Sequence, residues 1–139
     1  MKKIFKLVLL CAFAFASSAA LASRIEPFRN PPETLIATAS GKQLNKEQIK
    51  QTIMRAATAA NWTATSSADG QVAATLIVRG KHTLNVEIPY TAEHYTVRYK
   101  DSVNLNYGTN EEGVTVIHPN ANRWMEQLKE AIRVEFSRQ

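Results

Sequence analysis

The hydrophobic residues that follow residue 45 recur with the spacing of an α-helix. Ile49 and Ile53 fall on one face of the segment 46–60, and charged residues lie mostly on the other faces. Asn45 stands before this segment and Gln48 three residues later, which is the pattern of a capping box. We therefore predict an amphipathic helix that begins directly after Asn45.

The period changes to two after this helix, which is typical of β-strands with one apolar and one polar face. Turn residues separate the alternating runs, so we predict an antiparallel meander. Matching apolar side chains across the turns gives a register with Leu84 opposite Val78 and Tyr90 opposite Tyr95. The four predicted strands are residues 62–66, 72–78, 84–90 and 95–99.

Helical spacing returns in the last segment, residues 120–138, where the apolar side chains form one stripe. Two amphipathic helices and one amphipathic sheet bury their apolar faces most simply against each other. We therefore predict a two-layer α+β domain, α-β-β-β-β-α, in which a four-stranded antiparallel meander carries the N- and C-terminal helices on one face. The stripe consists of Trp124, Leu128, Ala131, Ile132 and Phe136.

The first 22 residues have the features of a secretory signal peptide. Lys2 and Lys3 precede an apolar run over residues 4–16, and the small residues of "AALA" end at Ala22. The run is shorter than the about 20 residues that a membrane-spanning helix needs. We therefore predict cleavage after Ala22, delivery to the bacterial periplasm, and no membrane span in the mature chain.

Residues 23–42 include Pro27, Pro31 and Pro32 and show no regular period. Such a composition indicates an extended arm or linker, which we expect to be mobile. A single α+β domain over residues 43–139 follows it.

Removing the leader also changes the composition. The only cysteine, Cys11, lies in the leader, which excludes disulfides and thiolate chemistry from the mature chain. Three of the 17 basic residues lie there as well, so the mature chain, with 12 acidic residues, is nearly neutral. Nucleic-acid-binding proteins usually carry a strong basic patch. We therefore expect no nucleic-acid partner, no cofactor, and a monomer.

Polar residues gather in two stretches. In one, Asp101 continues the inward parity of the last strand. Asp101 and His118 together could serve a small periplasmic hydrolase as acid and base. We favour a structural interpretation, in which Asp101 accepts backbone N–H groups at a strand bend or at the start of the last helix. The candidate polar cluster, for binding or structure, consists of Asp101, Ser102, Asn104, His118, Asn122 and Trp124.

Tyrosines supply much of the large apolar area, and their hydroxyl groups favour the rim of a core. An aromatic rim of this kind can line a groove for a sugar or a peptide. No metal site is expected, because His82 and His94 lie near opposite ends of one predicted strand. The predicted rim consists of Tyr90, Tyr95, Tyr99 and Tyr107.

Two motifs resemble those of a family of small secreted or lipid-anchored bacterial envelope proteins. Y-x-D-S-x-N-L-x-Y spans Tyr99 to Tyr107, and I-H-x-N-x-N-x-W spans Ile117 to Trp124. Ala121 stands where the second motif of that family has a tyrosine. The resemblance implies an envelope protein and assigns no activity. We expect a non-enzymatic binding module for an envelope protein or a cell-wall component, with the hydrolase as the alternative.

Overall fold

The computed structural model describes residues 24–139, and the predicted signal peptide of residues 1–22 lies outside this part of the chain. The two helices are α1 (Lys46–Ala59) and α2 (Pro119–Phe136). The predicted capping box opens α1, where the Asn45 side chain accepts from the Gln48 amide and the Gln48 side chain accepts from the Asn45 amide. Both predicted helices are confirmed to within a residue at their starts.

A four-stranded antiparallel sheet, made in spatial order by residues 63–66, 71–78, 82–89 and 98–103, faces these helices and confirms the predicted α+β meander. Its fourth strand begins three residues later than predicted. Its inward side chains, such as Val72, Leu84 and Val86, are buried together with Ile53 of α1 and Ile132 of α2. In chain order the strands are β1 (Glu26–Pro27), β2 (Thr34–Leu35), β3 (Thr63–Ser66), β4 (Gln71–Val78), β5 (His82–Pro89), β6 (His94–Tyr95), β7 (Arg98–Val103), β8 (Gly108–Thr109) and β9 (Thr115–Ile117).

The β4–β5 hairpin is tighter than predicted. Leu84 pairs with Leu76, whereas the predicted partner Val78 pairs with His82. The predicted register is therefore wrong by two residues. Arg79 and Gly80 adopt positive φ angles of 55° and 64°, which allows the chain to reverse within three residues. The predicted Tyr90–Tyr95 pairing is confirmed as an isolated antiparallel bridge.

A β-bulge in β7 reverses the predicted orientation of Asp101. Val86 pairs with Tyr99, but the preceding residue of β5, Asn85, pairs with Asp101, so Lys100 is the extra residue. The bulge moves Asp101 to the polar, open face of the sheet, where it is exposed. The prediction that Asp101 interrupts the inward stripe is wrong.

The arm of residues 24–42 is extended, but it packs along the domain instead of hanging free as a tether. β1 pairs with β9, which in turn pairs with β8, and β2 pairs with β6. The amides of Phe28 and Ile36 donate to the carbonyl oxygens of Thr115 and Glu93 at 2.9 Å and 2.7 Å. These strands are two or three residues long, which is too short for an alternating pattern in the sequence to predict them.

Candidate functional site

A groove of about 590 Å³ runs between β7 and the loop that follows it. Residues 99–107 line it, with the exception of Val103. This segment is the first of the two motifs singled out in the sequence, and the groove combines aromatic, amide, hydroxyl and charged groups.

Two stacked tyrosine rings line the groove, and the ring of Phe28 packs against both of them. Tyr99 and Tyr107 stack with 4.3 Å between their ring centroids and 22° between their planes. Phe28 of the arm meets both rings edge-on, at 5.3 Å from Tyr99 and 5.6 Å from Tyr107. Tyr107 is nevertheless 47% exposed. The stack is therefore braced from behind and open to solvent at Tyr107.

The hydroxyl group of Tyr99 turns toward the strand. It forms a 2.8 Å hydrogen bond with Ser102 Oγ. Burial raises the pKa of Tyr99, and the bond to Ser102 opposes part of that increase. Ser102 thus fixes the Tyr99 ring that supports Tyr107.

The loop after β7 is held in an unusual backbone conformation. Asn104 and Asn106 have φ angles of 58° and 54°, in the left-handed region that asparagine tolerates better than most residues. Asn104 Nδ2 donates to the Lys81 carbonyl oxygen at 2.7 Å, and His82 Nδ1 lies 2.9 Å from the Asn104 carbonyl oxygen. Because a carbonyl oxygen only accepts, His82 carries a proton on Nδ1. The β4–β5 turn therefore anchors the loop.

Asp101 takes part in a hydrogen-bonded row across the open face of the sheet. Asn85 Nδ2 donates to Asp101 Oδ1 at 2.6 Å, and Thr75 Oγ1 donates to Asn85 Oδ1 at the same distance. Lys100 lies 3.8 Å from Glu87. The groove edge thus presents one cation and one anion, each with a partner on β5.

His118, and not Asp101, caps the last helix. His118 Nδ1 accepts from the Asn120 amide at 3.1 Å. The imidazole can accept in this way only when Nδ1 carries no proton. The His118 amide donates to the Leu105 carbonyl oxygen at 2.7 Å, so the cap also holds the loop of the groove. The predicted role of Asp101 at the start of the last helix is therefore corrected.

Asn122 joins the arm to α2. Its Nδ2 donates to Glu26 Oε1 at 2.8 Å and to the Pro27 carbonyl oxygen at 2.9 Å. Its Oδ1 accepts from the Arg29 amide at 3.0 Å. Asn122 is 4% exposed, so these three bonds use both donors of a buried amide and give its oxygen a partner.

The predicted polar cluster is therefore divided among several places. Ser102 and Asn104 belong to the groove, whereas His118 and Asn122 lie at the start of α2. Within residues 24–139 no hydrogen bond joins His118 to Asp101: the Asp101 side chain accepts from Asn85, and the His118 side chain accepts from Asn120. Trp124 lines a different groove, of about 420 Å³, beside Trp62, Leu76 and Leu128.

The predicted aromatic rim is also only half correct. Tyr99 and Tyr107 line the groove, but Tyr90 and Tyr95 are 8% and 1% exposed and belong to the core. The Tyr95 hydroxyl donates to the Lys129 carbonyl oxygen at 2.8 Å, and burial raises the pKa of Tyr95 to about 12. The Tyr95 ring also packs against Phe136 of α2, with 5.7 Å between the ring centroids.

Two residues of the arm contribute to the site without having been predicted. Phe28 braces the tyrosine stack, and Asn30 Oδ1 accepts from the Tyr99 amide at 3.0 Å. Phe28 is the only aromatic residue in the arm. A large apolar ring in a proline-rich segment was the one signal in the sequence that the arm packs against the domain.

Within residues 24–139 no three His, Cys, Asp or Glu side chains come together in a way that could hold a metal ion. No helix in that range is long and apolar enough to cross a membrane. No protein-family model, no curated protein and no solved structure matches this chain.

Proposed function

We propose that this protein is an exported, non-enzymatic module that binds a component of the bacterial cell envelope through the groove between β7 and residues 104–107. The observation that carries the proposal is the braced stack of Tyr99 and Tyr107, which exposes 47% of Tyr107 beside polar groups. Half-exposed aromatic rings with polar groups around them are typical of binding sites. Export is supported by the features of residues 1–22 and by the two envelope-family motifs.

The polar groups of the groove favour binding over catalysis. A nucleophile or a general acid needs a partner within hydrogen-bonding distance that changes its protonation or reactivity. Here Ser102 bonds with a tyrosine hydroxyl, and Asp101 accepts from an asparagine amide. Neither partner is a base that activates a nucleophile at neutral pH. These groups offer fixed contacts to a ligand.

Retention by isolated envelopes tests this proposal. The exported protein is mixed with washed bacterial envelopes, and the bound fraction is measured by sedimentation. Tyr107→Ala should reduce retention about tenfold, because it removes the exposed ring. Leu35→Ala removes an apolar residue from β2 that is 60% exposed, somewhat more than Tyr107, and serves as the control.

The control should bind like the parent protein. Absence of retention for the parent protein, or an equal loss in both variants, would contradict the proposed function. Circular dichroism of both variants establishes that the fold is retained.

A further inference from the structure

We infer that the ligand of this groove is an uncharged saccharide, one ring of which lies flat against Tyr107. This inference rests on the proposed function and specifies the chemistry of the ligand. The geometry of the rings, the charges at the edge and the state of the β7 backbone point to it independently.

The rings leave a single flat surface for a ligand. Tyr99 covers one face of Tyr107 at 4.3 Å, and Phe28 meets the stack nearly at right angles, 88° to the plane of Tyr107. The exposed part of Tyr107 therefore includes its other face. A sugar ring has a face of C–H groups that packs against an aromatic face, whereas its hydroxyl groups point outward around the ring.

The polar groups around this surface suit hydroxyl groups. Asp101 supplies a carboxylate that accepts, and Asn106, whose positive φ turns the loop at the groove, supplies an amide that both donates and accepts. Both charged groups of the groove already have partners on β5, since Lys100 lies 3.8 Å from Glu87 and Asp101 accepts from the Asn85 side-chain amide. A ligand with a net charge gains little there, and a neutral ligand with many hydroxyl groups can use both donors and acceptors.

The backbone of β7 disfavours an extended peptide. A peptide that adds to a sheet edge needs a continuous row of free backbone donors and acceptors. The outward amide of Tyr99 is already bonded to Asn30 Oδ1 at 3.0 Å. The bulge at Lys100 and Asp101 interrupts the edge further along. A saccharide does not depend on such a row.

NMR titration of the exported protein, labelled with ¹⁵N, tests the inference. The probes are a β-1,4-linked N-acetylglucosamine trisaccharide, a β-1,4-linked glucose trisaccharide, and an uncharged peptide of alternating Val and Thr with blocked ends. At least one trisaccharide should shift the amide signals of residues 99–107, and the peptide should not. Tyr107→Ala should weaken that binding about tenfold, Tyr107→Phe should preserve it, and Leu35→Ala should leave it unchanged.

The signal map of the parent protein does not depend on any variant, so a poorly folded variant cannot obscure the result. Shifts at residues 99–107 caused by the peptide and by neither trisaccharide would overturn the inference. Absence of shifts with all three probes would overturn it as well. If envelope retention still depends on Tyr107 in those cases, the proposed function stands without the saccharide. If retention is also absent, both fail.

Discussion

One extra residue in β7 decides which way Asp101 faces. Alternation along a strand assigns Asp101 to the core, but the bulge at Lys100 places it on the open face, where Asn85 bonds to it. Alternation is a property of regular strands, and bulges leave no period in a sequence. The same limit applies to His118, since a histidine at a helix start is not among the preferred capping residues. The sequence therefore identified Asp101 and His118 as candidate residues. Their orientation and hydrogen-bond partners depended on local backbone geometry.

The cap of α2 gives a prediction about stability. His118→Ala should lower the free energy of unfolding by about 1 kcal/mol, because the Asn120 amide loses its acceptor. His118→Asn provides a short acceptor at the same position and should recover most of that loss. Urea unfolding at neutral pH measures both variants. Equal stability of the alanine variant and the parent protein would show that the cap contributes nothing.

Tyr95 gives a prediction about alkaline pH. Burial raises its pKa from 10.0 to about 12, so the unfolded chain releases this proton at a lower pH than the folded chain. The stabilisation is complete below pH 10 and is lost as the pH rises toward 12, by about 2 kcal/mol. Tyr95→Phe should cost about 1 kcal/mol at neutral pH through the lost bond to Lys129.

The measured quantity is the loss of thermal stability between the two pH values, compared between the parent protein and Tyr95→Phe. Thermal unfolding at pH 8 and at pH 11.5 should show a smaller loss for the phenylalanine variant than for the parent. A parallel loss in both proteins would assign the alkaline effect to other groups.

At the scale of elements, length determined what the sequence could predict. The helices and the first three strands of the main sheet are long enough to repeat a period, and their predicted limits are nearly correct. The fourth strand, predicted at residues 95–99, spans Arg98–Val103, because the strand breaks after Tyr95 and the bulge at Lys100 interrupts the alternation. The two- and three-residue strands carry no period, and their pairing follows from tertiary contacts. The docked arm and the aromatic brace of the groove were consequently absent from the prediction.

Hydrogen exchange tests whether the arm is docked on the domain. The amides of Phe28 and Ile36 donate to carbonyl oxygens of the domain, so both should exchange more slowly than amides of an unstructured chain. Asn122→Ala removes three bonds between α2 and the beginning of the arm. It should accelerate exchange at Phe28 more than at Ile36. Asn120→Ala, in the same helical turn, serves as the control.

Unprotected amides at both Phe28 and Ile36 in the parent protein would contradict a docked arm. They would restore the mobile linker expected from the sequence.

At the scale of the whole molecule, one core between the sheet and the two helices accounts for the agreement with the predicted α+β class. The alternating pattern predicts a sheet with one apolar face, and the helical pattern predicts helices with one apolar face. These faces bury each other. The groove was predictable only in part. Its lining is one continuous motif of the sequence, residues 99–107, with two left-handed asparagines. The brace that Phe28 of the arm adds to the tyrosine stack depends on tertiary contacts that no local pattern encodes.

The proposed export gives a prediction about the N-terminus of the mature protein. Cleavage after Ala22 should give a periplasmic protein whose first residue is Ser23. Intact mass measurement of protein recovered from the periplasm of an expressing bacterium determines this residue. A mass that includes the leader, or a lipid on Cys11, would contradict the prediction.

The bonds between the arm and α2 have a consequence for the stage of folding at which the groove is complete. Arg29 and Asn122 lie 93 positions apart, and Phe28 and Tyr107 are separated by most of the same span. Contacts between distant parts of a chain form late, because a long loop must close first. On the export route proposed above, the brace of the groove would be completed only after the chain as far as α2 has crossed the membrane. A chain still in transit would therefore have no finished groove with which to bind the proposed ligand.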